Sequence, residues 1–271
     1  MQEKLIDKMM SEIMEKLGNE KKEDLPVTTN ETKADAPIVN TECRLTEFVG
    51  ATTLGDTIGL VIANVDPSLH EAMGIDKKYR SIGILGARTG AGPQVMAADE
   101  AVKATNTEII SIECPRDTKG GAGHGSLILF GGEDVSDVKR AVEVALGAVN
   151  EKFGDVYAND AGHIELQYTA RASYAANKAY GAPVGRSFGL MVGAPAAIGV
   201  VMADTALKAA SVEVISYASP SNGTSFSNEV ILFITGDSGA VRQAVLTAKE
   251  VGVKLLETMG GPAPSVTHPY I

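Results

Sequence analysis

The chain has 271 residues, enough for about two domains of ordinary size, with 44% hydrophobic residues, 29 glycines, no tryptophan and a formal charge of −10. The negative charge argues against a nucleic-acid partner, and two cysteines outside any C-x-x-C spacing argue against a disulfide framework. No apolar run reaches 18 residues and no signal-peptide pattern opens the chain, so a protein of the reduced cytosol is expected, with no membrane span.

In chain order, residues 1–18 predict an amphipathic helix, with Leu5, Ile6, Met9, Met10, Ile13, Met14 and Leu17 at helical spacing. Residues 19–40 are polar and charged and read as a disordered linker. A helix this short must bury its Met-rich stripe, either on its own domain or copy, or in the groove of another protein. A first globular half, 41–154, follows: strands at "CRLTEFVGATT" and "TIGLVIANVD", a short helix or turn at "PSLHEAMG", a strand at "RSIGILG" and a helix at "GPQVMAADEAVKAT". Then come a strand at "TEIISIE", a Gly-rich loop "CPRDTKGGAGHG", a strand "SLILFGG" and a helix over "EDVSDVKRAVEVALGAVNEKFG". The second half, 155–271, repeats the order, with "HIELQYTA" as a strand and "SYAANKAYGAP" as a small-residue stretch. Next come "RSFGLMVG", "APAAIGVVMADTALKAA", "VEVISYA", the loop "SPSNGTSFSN", "EVILFITG" and a long C-terminal helix.

The repetition extends to residue identities. Ala98–Ile112 and Ala203–Tyr217 agree at eight of fifteen positions, and Arg80-Ser81 matches Arg186-Ser187. A domain of about 105 residues has been duplicated, too few copies for a solenoid.

Chemical motifs are weak. "GARTGAG" (Gly86 to Gly92) lies between a strand and a helix, where phosphates bind, but it lacks both the dinucleotide fingerprint and the P-loop Lys-Ser/Thr. His70, His124, His163 and His268 show no metal-ligand spacing with each other or with Cys43 and Cys114, so no metal site is expected. No G-x-S-x-G turn occurs. What the two halves share is Ala, Gly, Val, Ile and one Lys, which points to assembly rather than catalysis.

The block "ADTALKAASVEVISYA…VILFITGDSGAVRQAV", met twice over about residues 41–267, resembles the bacterial microcompartment shell domain. The early placement of a strand pair before "RSIGIL" and "RSFGLM" resembles the tandem, circularly permuted shell proteins, and the N-terminal helix, linker and "EFVGATTLGDTIGLVIANVD" opening resemble the propanediol-utilisation kind. The resemblance implies an α/β fold (an α+β sandwich) of two tandem shell domains and a pseudo-hexameric homotrimer. Such a disc tiles edge to edge with other shell proteins in the cytoplasm, with no enzymatic activity and no cofactor. It implies pore loops at Arg116–Ser126 and Ser219–Asn228, with Lys119, Gly120, Gly121, Gly123, His124, Ser221, Asn222, Gly223, Thr224 and Ser225 facing the passing solute. Small diols such as 1,2-propanediol or glycerol are the expected solutes, and hydroxyl-matching donors and acceptors favour them over an aldehyde. Lys103 and Lys208 fall at the family's tile-edge lysine, and the N-terminal helix at the extension that meets core enzymes. Smaller channels within each subunit, as in some tandem members, draw candidate liners from polar strand ends: Asn64, Asp66, Glu71, Thr89 and Gln94. These five are equally turn formers and caps. Competing readings are a two-lobed small-molecule binder, an enzyme using "GARTGAG", and a shell protein of an ethanol- or ethanolamine-type compartment.

Overall fold

The computed structural model describes residues 43–116 and 124–271, and these belong to one compact body. The N-terminal helix and the whole linker therefore lie outside the described residues. The first half carries β1 (Phe48–Thr52), β2 (Thr57–Ile62), α1 (Pro67–Met73), β3 (Ser81–Ala87), α2 (Gly92–Ala104), β4 (Glu108–Glu113), β5 (Ser126–Gly132) and α3 (Val135–Lys152). The second carries β6 (Val156–Asn159), β7 (Gly162–Thr169), α4 (Tyr174–Tyr180), β8 (Ser187–Ala194), α5 (Ala196–Ala209), β9 (Val212–Ala218), β10 (Val230–Gly236) and α6 (Ser238–Gly260). Each half forms a five-stranded antiparallel sheet, ordered β1-β2-β3-β5-β4 and β6-β7-β8-β10-β9. The duplicated sequence thus gives one topology twice.

The packing is duplicated too. Val138 and Val142 on α3 press against the backbone of β3 at Gly83, where any Cβ would meet them at 2.9 and 2.7 Å. Val241 and Val245 on α6 do the same at Gly189 of β8, both at 2.9 Å. A side chain at either glycine would separate helix from sheet, so the glycines set the closeness of the two layers. Two elements went unforeseen: β6, which pairs with β7, and α4, which the sequence suggested only as a small-residue stretch. Ser173 caps α4 by accepting from the Ala175 amide, and Gly181 ends it at a φ of 71°.

The halves meet along a seam. Met96 of α2 is fully buried among Ala172, Ala176, Phe188 and Leu190 of the second half. Asp99, also on α2, has a fully buried side chain whose Oδ1 accepts from the Ser173 amide at 2.9 Å, the Ser173 hydroxyl and the Ala176 amide at 3.3 Å. Its Oδ2 pairs with Lys103 Nζ at 2.6 Å. Lys178 of α4 donates to the Ile109 and Ile110 carbonyls of β4, the first at 3.1 Å. The end of the chain is tied down in turn: buried Asp155 accepts from Tyr157 Oη (3.0 Å), Lys249 Nζ (3.2 Å) and the amides of Tyr270 (2.7 Å) and Ile271 (2.9 Å).

Candidate functional site

The seam encloses a cavity of about 270 Å³. From the first half come Gly90, Ala91 and Gly92 at the start of α2, with Cys114 and His124 at the two ends of the first loop. From the second come Glu165 on β7, Leu190 and Val192 on β8, Ile231 and Phe233 on β10, and Glu229 just before it. Tyr180, Phe188 and Phe233 stack on one another at centroid distances of 5.1 to 6.4 Å and stiffen the apolar wall.

A second cavity of about 390 Å³ is lined by Arg116, His163, Ala194, Pro195, Ser227 and Asn228. Four of the chain segments that line the first cavity also line this one, one or two residues away: Glu165 and His163, Val192 and Ala194, Glu229 and Asn228, Cys114 and Arg116. Side chains two apart on a strand share a face. The two cavities are therefore neighbouring chambers beside the two loops. Arg116 Nε donates to Ser227 Oγ at 3.1 Å and links those loops.

The chambers combine apolar walls with a few charged groups. Glu165 is buried and held close to the backbone, since a Cβ at Gly92 would run into its carboxyl group. Burial, with Glu229 nearby, pushes the Glu165 carboxyl well above the usual carboxylate range, so it holds its proton to higher pH and can donate as well as accept. Glu229 is 1% exposed, and its Oε1 lies 3.3 Å from His124 Nδ1 with no hydrogen-bond donor among the described residues. Burial away from water lowers the His163 imidazole from its usual range, with Glu229 acting in the opposite direction.

Of the residues expected from sequence to line a pore, His124, Gly223 and Ser225 border the first cavity. Lys119, Gly120, Gly121 and Gly123 lie outside the described residues. The second loop is knotted: Ser219 and Asn222 exchange backbone hydrogen bonds at 2.7 and 2.9 Å, and Thr224 is buried with its hydroxyl on the Ser227 carbonyl. Asn64, Asp66, Glu71, Thr89 and Gln94 line neither chamber. Asn64 and Glu71 are exposed, and Asp66 caps α1. Gln94 is buried and spends its amide on Thr57 Oγ1 and the Thr89 carbonyl, both at 3.0 Å. Lys103 is held at the seam, whereas Lys208 is 75% exposed and pairs with Asp204 at 2.6 Å. Among the described residues no cluster of three or more His, Cys, Asp or Glu is arranged to hold a metal ion, and no helix is long and apolar enough to cross a membrane.

The described chain can be set beside known proteins. The BMC domain profile matches it twice, at residues 81–160 and 187–264. It is 62% identical over 267 residues to the bacterial microcompartment shell protein PduB of Citrobacter freundii, covering 98% of both chains. Its fold superposes on the crystal structure of a trimeric bacterial microcompartment shell protein PduB with a TM-score of 0.81 at 56% identity, covering 84% of this chain and all of that one. EtuB from Clostridium kluyveri superposes with the same TM-score at 55% identity and the same coverage. Two copies of the domain, near-full-length identity and a common fold agree: this chain belongs to the BMC-domain family of bacterial microcompartment shell proteins.

Proposed function

We propose that the chain forms a trimeric tile in the shell of a propanediol- or glycerol-using microcompartment, and that small diols cross the tile through the two chambers at the seam. The observation that carries the passage is that four chain segments contribute residues one or two apart to both chambers. The solute preference follows from the groups in the first chamber. Glu229 offers acceptors, a protonated Glu165 offers a donor and an acceptor, and Leu190, Val192, Ile231 and Phe233 offer an apolar wall. A diol donates to one carboxyl, accepts from the other and lays its methyl or methylene carbons on the wall. An aldehyde has no donor and leaves the Glu229 oxygen unmatched. One charge-assisted hydrogen bond, about 1.5–3 kcal/mol, separates the two by about 10–100-fold.

The test is ligand-observed NMR with 1,2-propanediol and propanal on the wild-type protein and on Glu229→Leu. Tighter binding of the diol, lost in the variant, is expected. Equal binding of both solutes to the wild type would overturn the assignment. The tile is non-catalytic in this reading, and its exposed Lys208 lies at the edge that meets other shell proteins. The N-terminal helix, residues 1–18, serves as the tether to core enzymes. A chain lacking residues 1–40 should still assemble but fail to retain enzyme in purified compartments.

A further inference from the structure

A passage for neutral solutes needs no nucleophile, yet Cys114 stands in the wall of the first chamber. Both cysteines are free thiols, and Cys43 lines neither chamber. Cys114 is exposed as well as part of the lining, so a solute at the chamber can reach its sulfur. A second group on the same wall points to a ligand. Glu229 is 1% exposed, and no described residue donates a hydrogen bond to its buried Oε1. A buried carboxylate oxygen without a donor is costly, and a ligand carrying a hydroxyl removes that cost. Glu165, a third group on this wall, keeps its proton and can give it up to an oxygen.

We propose that Cys114 captures small aliphatic aldehydes in the first chamber as a reversible hemithioacetal. This rests on the passage reading only in that solutes enter the chamber. The sulfur lone pair forms a bond to the carbonyl carbon, and the C=O π pair moves to the oxygen. That oxygen takes the Glu165 proton, and the thiol proton replaces it on Glu165. The net change is addition of S–H across C=O, with nothing oxidised or reduced. An unreacted aldehyde has no donor and leaves Glu229 unmatched, so it binds weakly on first contact. The adduct carries a hydroxyl that donates to Glu229 Oε1, and its alkyl carbons lie on Leu190 and Val192. Bond formation thus supplies the donor that the free aldehyde lacks. Burial, with the Glu165 charge adding to it, raises the Cys114 thiol, so the sulfur rests as S–H and reacts slowly. While the adduct persists, the chamber is filled and passes less diol.

The experiment uses the full chain and propanal labelled with carbon-13 at the carbonyl. Carbon NMR should show a tetrahedral-carbon resonance, separate from that of the free hydrate, in the wild type and in Cys43→Ser. Cys114→Ala should lose it. Glu229→Leu should lower its occupancy by about 10-fold or more at equal propanal, the effect of one hydrogen bond to a charged group. Maleimide labelling of the folded wild type, located by peptide mass, gives a second readout: propanal should slow labelling at Cys114 and leave Cys43 unchanged. A resonance that persists in Cys114→Ala would overturn the assignment to this sulfur. A wild type that shows no such resonance and no protection of Cys114, but still binds 1,2-propanediol, would overturn the capture and leave the passage standing. Capture at Cys114 without diol binding would keep the capture and overturn the passage.

Discussion

Replacing Asp99 probes the inner seam most sharply. Its side chain is completely buried, one oxygen accepts from Ser173 N, Ser173 Oγ and Ala176 N, and the other pairs with Lys103. A hydrogen bond to a charged group contributes about 1.5–3 kcal/mol, and three that converge on one oxygen contribute less than their sum. Asp99→Ala also strands the Ser173 and Ala176 amides at the start of α4, where no other acceptor replaces the carboxylate. Breaking a buried pair costs about 3–5 kcal/mol, and the partly exposed Lys103 can rehydrate, so the lower part of that range, about 3–4 kcal/mol, is expected. Asp99→Asn keeps an acceptor of the same shape and should lose about 1–2 kcal/mol. Urea unfolding reads the total, and hydrogen exchange of the α4 amides reads where it is lost. Protection over Tyr174–Tyr180 should fall by about 100-fold in the alanine variant. A change below about 1 kcal/mol with α4 protection intact would refute the claim that this carboxylate joins the halves.

Two further outcomes follow from buried carboxyl groups. Asp155→Ala removes the common acceptor of Tyr157, Lys249 and the amides of Tyr270 and Ile271; it should cost about 3–5 kcal/mol and release the last residues to proteolysis, which carboxypeptidase trimming would reveal. Glu165 is raised well above the usual range, so the folded chain keeps a proton that the unfolded chain gives up. Stability from this group is fully present below the ordinary Glu value of about 4.3 and is lost as pH rises through the raised value, at no more than about 1.4 kcal/mol per pH unit. Glu165→Gln should match the wild type near pH 4 and exceed it by a growing margin toward pH 8, as thermal melts across that range would show.

The duplicated architecture was legible because it is written in identities and in periodicity. Val135, Val138, Val142, Ala145 and Val149 read as a helical stripe; the structure buries the last four, packing the helix on β2 and β3, and leaves Val135 at the helix start 39% exposed. The short α4 was harder to read. Its signals, Ser173 before it and Gly181 after it, are present, but seven residues without a strong apolar stripe do not form a helix alone. Asp99, on the other half, completes its first turn. The chambers were missed for the same reason. Glu165 lies in "HIELQYTA", which reads as an alternating strand with one solvent face, yet Ile164, Glu165, Leu166 and Gln167 are all buried. β7 is covered on both faces, by α6 on one and by the first half on the other, and only tertiary contact reveals that. Glu229 opens a strand beside a loop, and nothing local marks it as facing His124 across the seam. Asn64, Asp66 and Glu71 show the converse: polar residues at a strand end turned out to face outward on α1 and the turn before it.

If this chain is one third of a shell tile, the solution mass and negative-stain images of the purified protein will show it. The expected species has three 28.2 kDa chains and associates edge to edge into flat sheets or tubes at higher concentration. The same behaviour is expected from a chain beginning near Asn40. A monodisperse single chain that forms no sheets, and that gains thermal stability with a small ligand as a two-lobed binder does, would contradict it.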